Sequence, residues 1–237
     1  MFDVIAFDAD DTLWHNEPLY RDVQQKVSAL LAQYHAADWI QRRLYETEIR
    51  NLEHYGYGAK GFTLSLIETA IELTEGRISG AEIGQIIGFT KAMLRAPIEL
   101  LDGVRETIQT LAETHNLMLI TKGDLFDQEG KLARSGLGHC FRRVEVVPEK
   151  TPVIYAAVAH KYGFNPARLL MIGNSLKSDI LPVLAIGGHA VYIPYQTTWE
   201  HERVAEADLA DKHFHELEHI GQLPDWLAEY SETWDRL

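Results

Sequence analysis

The 237-residue sequence predicts an α/β fold: a parallel, Rossmann-like sheet core, interrupted after its first strand by an all-α helical domain. Three observations carry that expectation. Short apolar runs rich in β-branched residues recur at 3–8, 117–121, 142–147, 168–173 and 189–193, each the length of a strand. Between the later runs lie amphipathic stretches of helical length, around 103–114, 125–136, 150–162 and 177–186. Strands alternating with helices in this way build a parallel sheet covered on both faces. The long stretch between the first run and the second reads as almost wholly helical.

In that insert, apolar positions recur with helical period near 17–34, 37–54, 63–75 and 80–95. The glycine-bearing loop Tyr55-Gly56-Tyr57-Gly58-Ala59-Lys60-Gly61-Phe62 breaks it in the middle, and Pro97 with Asp102-Gly103 marks the return to the sheet. Two domains are therefore expected: a core formed by 1–15 and 97–237, and a helical domain formed by 16–96.

The charge balance narrows the partners. Lys and Arg total 22 against 35 acidic residues, a formal charge of −13, and such a field repels nucleic-acid backbones and anionic membranes. A small anionic substrate can still be held, because local cations and a metal act at short range. Cys140 is the single cysteine, so no intrachain disulfide is possible. With no basic n-region at the start and no run of about 18 apolar residues, a cytoplasmic protein without a transmembrane helix is expected.

The first strand ends in Asp8-Ala9-Asp10-Asp11-Thr12-Leu13-Trp14. Ligands of open α/β sheets bind outside the carboxyl ends of the strands, and positions two apart on an extended chain point the same way. Asp8 and Asp10 can thus share one site. Crowded carboxylates repel unless a cation lies between them, and Mg²⁺ suits oxygen donors of this kind. The plainer alternative is an acidic turn capping the next segment.

Three later strands end in residues that would close the same site. Thr121-Lys122-Gly123-Asp124 offers a hydroxyl and exposed amides at the start of a helix, a seat for phosphate, although threonine there often serves only as a cap. Lys150, in Pro148-Glu149-Lys150-Thr151-Pro152, would offset carboxylate and phosphate charge, where a lone lysine is ordinarily solvated surface. Gly173-Asn174-Ser175-Leu176-Lys177-Ser178-Asp179 allows a tight exit from its strand and supplies Asp179 as a second metal carboxylate.

Taken in order, Asp8-x-Asp10-x-Thr12, Thr121, Lys150, and Gly173-Asn174-Ser175 with Asp179, the chain resembles the haloacid dehalogenase-like (HAD) hydrolase superfamily across all its signature regions. The helical insert looks like that superfamily's C1-type cap. The resemblance implies that Asp8 attacks phosphorus to give an aspartyl-phosphate, and that Asp10 serves as acid and then base. It implies Mg²⁺ held by the Asp8 carboxylate, the Asp10 carbonyl and the Asp179 carboxylate. Thr121, the Lys122 amide and Lys150 would hold the phosphoryl oxygens of a small phosphorylated metabolite. Asn174 stands where many members carry Asp; it would orient a metal-bound water or Lys150.

Asp10 argues for a phosphatase over a dehalogenase, since a halide leaving group needs no proton. The same resemblance admits a phosphomutase, a phosphonatase using Lys60 as a Schiff-base lysine, and a catalytically silent binding protein. A glycosyltransferase with an Asp-x-Asp metal site is an unrelated alternative, and predicts nothing at Thr121, Lys150 or Asp179. His213, His215 and His219 have metal-ligand spacing but lie in an acidic, solvated-looking segment without Cys. Tyr57, Lys60 and Phe62 are candidates for choosing the leaving group, and Trp14 and His15 are expected at a hinge or pocket rim.

Overall fold

The computed structural model describes residues 2–197, 199–210 and 212–234. In chain order the elements are β1 (Val4–Phe7), α1 (Glu17–Leu30), α2 (Ala37–Tyr55), α3 (Ala59–Leu73), α4 (Gly80–Leu94), α5 (Val104–Thr114), β2 (Leu117–Lys122) and α6 (Leu125–Ser135). There follow β3 (Arg143–Val147), α7 (Pro152–Tyr162), β4 (Leu169–Gly173), a π-turn at Leu176–Ile180, α8 (Leu181–Ala185), β5 (His189–Tyr192), β6 (His215–Glu216) and α9 (Leu223–Trp234). They form two compact units. One comprises Met1–His15, Ile98–Lys122 and Gly130–Leu237, and the other Asn16–Pro97 with Gly123–Glu129.

The first unit is built on a parallel sheet of order β3-β2-β1-β4-β5-β6. β1 is flanked by β2 on one side and β4 on the other, so the strand that ends at Asp8 lies beside the point where the strand order reverses. All four β1 residues are buried, which is why the run reads as continuously apolar. Ile5 and Phe7 face a cluster with Ile108 and Leu111 of α5 and Leu223 and Leu227 of α9. Val4 and Ala6 face the opposite cluster with Tyr155 and Val158 of α7 and Val183 of α8. Each large apolar side chain so buried stabilises by about 1.5–3 kcal/mol, which fixes the register of β1 and with it the place of Asp8.

In the second unit α1 to α4 enclose a separate core of Val23, Val27, Leu31, Ile40, Leu44, Phe62, Leu66, Ala70 and Ile86. These fall at helical spacing on each element. α4 opens with a capping box in which the Ser79 hydroxyl accepts from the Glu82 amide and the Glu82 carboxylate accepts from the Ser79 amide.

Two elements differ from expectation. The stretch 177–186 is not one helix: a π-turn ends at Ile180, and α8 begins with Pro182 in its first turn. Proline lacks the N–H that a continuous helix needs at that position, so the helix restarts around it. β6 is the other, because His215–Glu216 is a two-residue exposed strand with no apolar alternation. Among the described residues, no helix is long and apolar enough to cross a membrane.

Candidate active site

Past β1 the chain folds back on itself. Leu13 N–H donates to the Ala9 carbonyl at 2.8 Å and Asp11 N–H to the Trp14 carbonyl at 2.8 Å, with Asp11 at φ +61°. Aspartate is among the few non-glycine residues that tolerate this left-handed conformation. The turn brings the Thr12 hydroxyl to Asp8, donating to Oδ2 at 3.2 Å. Trp14 does not lie at a rim. It is fully buried in the sheet's core, and its indole N–H donates to Asp10 Oδ1 at 2.7 Å.

Asp8 is 8% exposed, and its Oδ1 is bound by the Lys150 ammonium. Lys150 reaches on to Asp179 Oδ1 at 2.6 Å, so one buried cation bridges two buried carboxylates. The other Asp179 oxygen accepts from the Ser175 N–H at 3.0 Å. Gly173 makes that placement possible, because a Cβ there would come within 2.2 Å of Asp179 Oδ2. Burial raises the Asp8 carboxyl, Lys150 pulls it down, and Asp179 and Asp10 push it up, to about 7 on balance. Burial acts to lower Lys150, but Asp179 and Asp8 outweigh it and raise it above its ordinary value. Lys150 therefore stays an ammonium.

Asn174 lies against the same group. Its main-chain N–H donates to Thr12 Oγ1 at 3.1 Å. With its side-chain nitrogen turned inward, it donates to Thr12 Oγ1 at 3.0 Å and to both Asp8 Oδ2 and the Asp10 carbonyl at 3.3 Å. These last two oxygens thus converge on a single donor. Thr121 is 1% exposed and stands two positions past Leu119, the partner of Phe7, at the same end of the sheet. The Lys122 ammonium turns to Ser178 Oγ at 2.8 Å and Glu202 Oε1 at 2.6 Å.

The geometry tests the fit of a metal through its donors. Among the described residues, no three His, Cys, Asp or Glu side chains gather as a metal cluster. What gathers is the Asp8 carboxylate and the Asp10 carbonyl, oxygens of the kind a hard divalent cation takes with water, with the Asn174 amide nitrogen donating to both. Asp179 lies one step back, joined to Asp8 through Lys150. The residues present therefore fit Mg²⁺.

The Asp10 carboxylate has a partner the sequence did not suggest: Lys131 of α6, 7% exposed, donates to Oδ1 at 3.0 Å and Oδ2 at 3.1 Å. Lys60, by contrast, is exposed and ion-paired with Asp124 at 2.6 Å, unlike the dry, neutral amine a Schiff base requires. Among the described residues, the three histidines form no metal-binding group. His215 packs against Trp226 and Tyr230, and His219 Nδ1 accepts from Gly221 N–H at 3.0 Å.

Residues 2–187 match the model of the haloacid dehalogenase-like hydrolases. The fold is similar to that of a haloacid dehalogenase-like family hydrolase from Xanthomonas campestris, with 41% identity, a TM-score of 0.87, and coverage of 99% of this chain and 94% of that one. It is also similar to a predicted phosphoglycolate phosphatase from Haemophilus somnus (18% identity, TM-score 0.64, covering 95% and 98%). A 2-haloacid dehalogenase from Pseudomonas syringae shares the fold as well (20% identity, TM-score 0.63, covering 97% and 100%). No curated protein shows a match.

Proposed function

Because the chain belongs to the haloacid dehalogenase-like hydrolases, we propose that it is a Mg²⁺-dependent phosphatase of small phosphate monoesters that works through an aspartyl-phosphate on Asp8. The observation that carries this reading is Asp10, a carboxylate two residues beyond the buried Asp8 and held at the strand end by Trp14 and Lys131. Displacing a halide needs no proton, whereas an alkoxide leaving group does.

Asp8 is the nucleophile in this reading, its carboxylate held by Lys150 at Oδ1 and by the Thr12 hydroxyl at Oδ2. Attack forms the Asp8–phosphorus bond as the ester P–O bond breaks, and Asp10 gives the leaving oxygen its proton. Asp10 then takes a proton from the water that opens the acyl-phosphate, returning Asp8 and releasing phosphate. Lys150, the Thr121 hydroxyl and the Lys122 amide hold the phosphoryl oxygens. Asp8, the Asp10 carbonyl and Asp179 would hold Mg²⁺, with Asn174 orienting a metal-bound water. Bound there, the metal would neutralise phosphoryl charge and keep Asp8 ionised.

The test is phosphate release from an aryl phosphate and a panel of small phosphate esters, with and without Mg²⁺, beside halide release from 2-haloacids. Metal-dependent phosphate release that vanishes in Asp8→Asn supports the reading. Halide release with no phosphate release from any ester would replace it.

A further inference from the structure

Glu202 lies beyond the stretch shared with the family model, in the segment after β5, yet its carboxylate is the meeting point of the two strand ends that flank β1. Oε1 accepts from Lys122, the last residue of β2, at 2.6 Å. Oε2 accepts from the hydroxyls of Ser175 and of Ser178, the latter at 2.5 Å, both on the loop that follows β4. Lys122 also donates to Ser178 Oγ at 2.8 Å, so one closed network joins the three segments. The Glu202 side chain is 12% exposed. Its burial acts to raise the carboxyl, but Lys122 and the two serines hold it down to about 2, and it stays ionised.

The loop fixed in this way is the one that positions Asp179. Ser175 gives its hydroxyl to Glu202 and its N–H to Asp179 Oδ2, and Asp179 in turn holds Lys150 against Asp8. The segment around Glu202 has a second anchor on this loop, where Lys177 donates to the His201 carbonyl at 2.8 Å. A carboxylate that desolvates itself to accept from an ammonium and two hydroxyls is a costly device, and its geometry constrains all of its partners.

From these contacts we infer that Glu202 is a positioning residue of the active site. It pins the Ser175–Asp179 loop to the end of β2 and neutralises the Lys122 side chain, which leaves phosphoryl binding to Lys150, Thr121 and main-chain amides. The inference rests on the phosphatase reading for its catalytic consequence, while the structural network stands apart from it.

Two measurements separate them. In thermal unfolding, E202A and K122M are expected to be non-additive, with the double variant no less stable than E202A alone; strictly additive shifts would overturn the network. In kinetics, E202A is expected to lower kcat about tenfold or more and to raise the Mg²⁺ concentration for half-activation, with a smaller change in KM. E202Q, which can still accept from the serines, should retain more kcat than E202A. Wild-type kcat and Mg²⁺ dependence in E202A would overturn the positioning role. If the wild type hydrolyses no phosphate ester, the phosphatase reading fails, and Mg²⁺ binding by calorimetry to wild type and E202A then decides: weaker binding in the variant supports the proposal, equal binding overturns it.

Discussion

Lys150 and Asp179 form an ion pair at 2.6 Å in which each side chain is only 1% exposed. A pair so dry is held by mutual neutralisation, and removal of one partner leaves a buried charge. Such breakage costs about 3–5 kcal/mol. Lys150→Met should therefore lower the thermal midpoint sharply and abolish phosphate release. Adding Asp179→Asn should recover part of the stability without recovering activity. Stability in Lys150→Met equal to that of the wild type would show that the buried bridge is not formed.

Asp10 is expected to matter in proportion to how badly the leaving group needs a proton. Asp10→Asn should reduce turnover of an alkyl phosphate by roughly 10²–10⁴-fold, the usual contribution of general acid–base catalysis. The loss should be much smaller in the first half-reaction of a nitrophenyl phosphate, whose leaving group departs unaided. Lys131→Met, which removes the ammonium shared by both Asp10 oxygens, should slow alkyl-phosphate turnover by about tenfold, as expected for one charge-assisted hydrogen bond. Lys131→Arg should restore part of it. Equal losses on alkyl and aryl esters in pre-steady-state phosphorylation would argue against Asp10 as the acid.

Gly173→Ala offers a sharper steric test. The new methyl would meet Asp179 Oδ2 at 2.2 Å and Cγ at 2.3 Å, distances that require the carboxylate to move. Overpacking of this kind typically costs about 1–3 kcal/mol. The expected result is a lower thermal midpoint together with weakened Mg²⁺ activation, read by titrating the metal against phosphate release. Gly163→Ala, where nothing lies within 4 Å of the added Cβ but φ is +71°, serves as a control for backbone strain alone.

The parts of this site that could be read from sequence are those in which apolar strands end abruptly in chemistry. Asp8 follows four buried residues, Thr121 is the last buried residue of β2, and Gly173 closes buried β4. What could not be read is burial of charge on amphipathic or irregular segments. Lys131 and Ser135 are buried one helical turn apart on α6, yet a lysine and a serine at that spacing look like a solvent face. Glu202 sits in an acidic stretch with no period, where one carboxylate is indistinguishable from Glu200 until its partners are placed. Trp14 was expected at a hinge or pocket rim by its position after the acidic turn; the tight fold-back at Asp11 buries its side chain in the core, so it lines no rim.

The helical unit carries a pH-dependent stability of its own. Glu48 of α2 is 8% exposed, and among the described residues its Oε1 has no hydrogen-bond partner. Burial, reinforced by Glu17 and opposed only by a hydrogen bond with Gln24, pushes its carboxyl from 4.5 up to about 8. The folded chain thus keeps a proton that the unfolded chain releases between these values. Unfolding releases that proton, so this group's contribution is fully present below about 4.5 and is lost as the pH rises toward 8. Glu48→Gln removes the ionisation while keeping the shape. The difference in thermal midpoint between the variant and the wild type should be small at the acid end of this window and should grow in the variant's favour toward its upper end. Parallel midpoint-against-pH curves would mean that Glu48 ionises in the folded chain as freely as in the unfolded one, with a cation or water reaching its free oxygen.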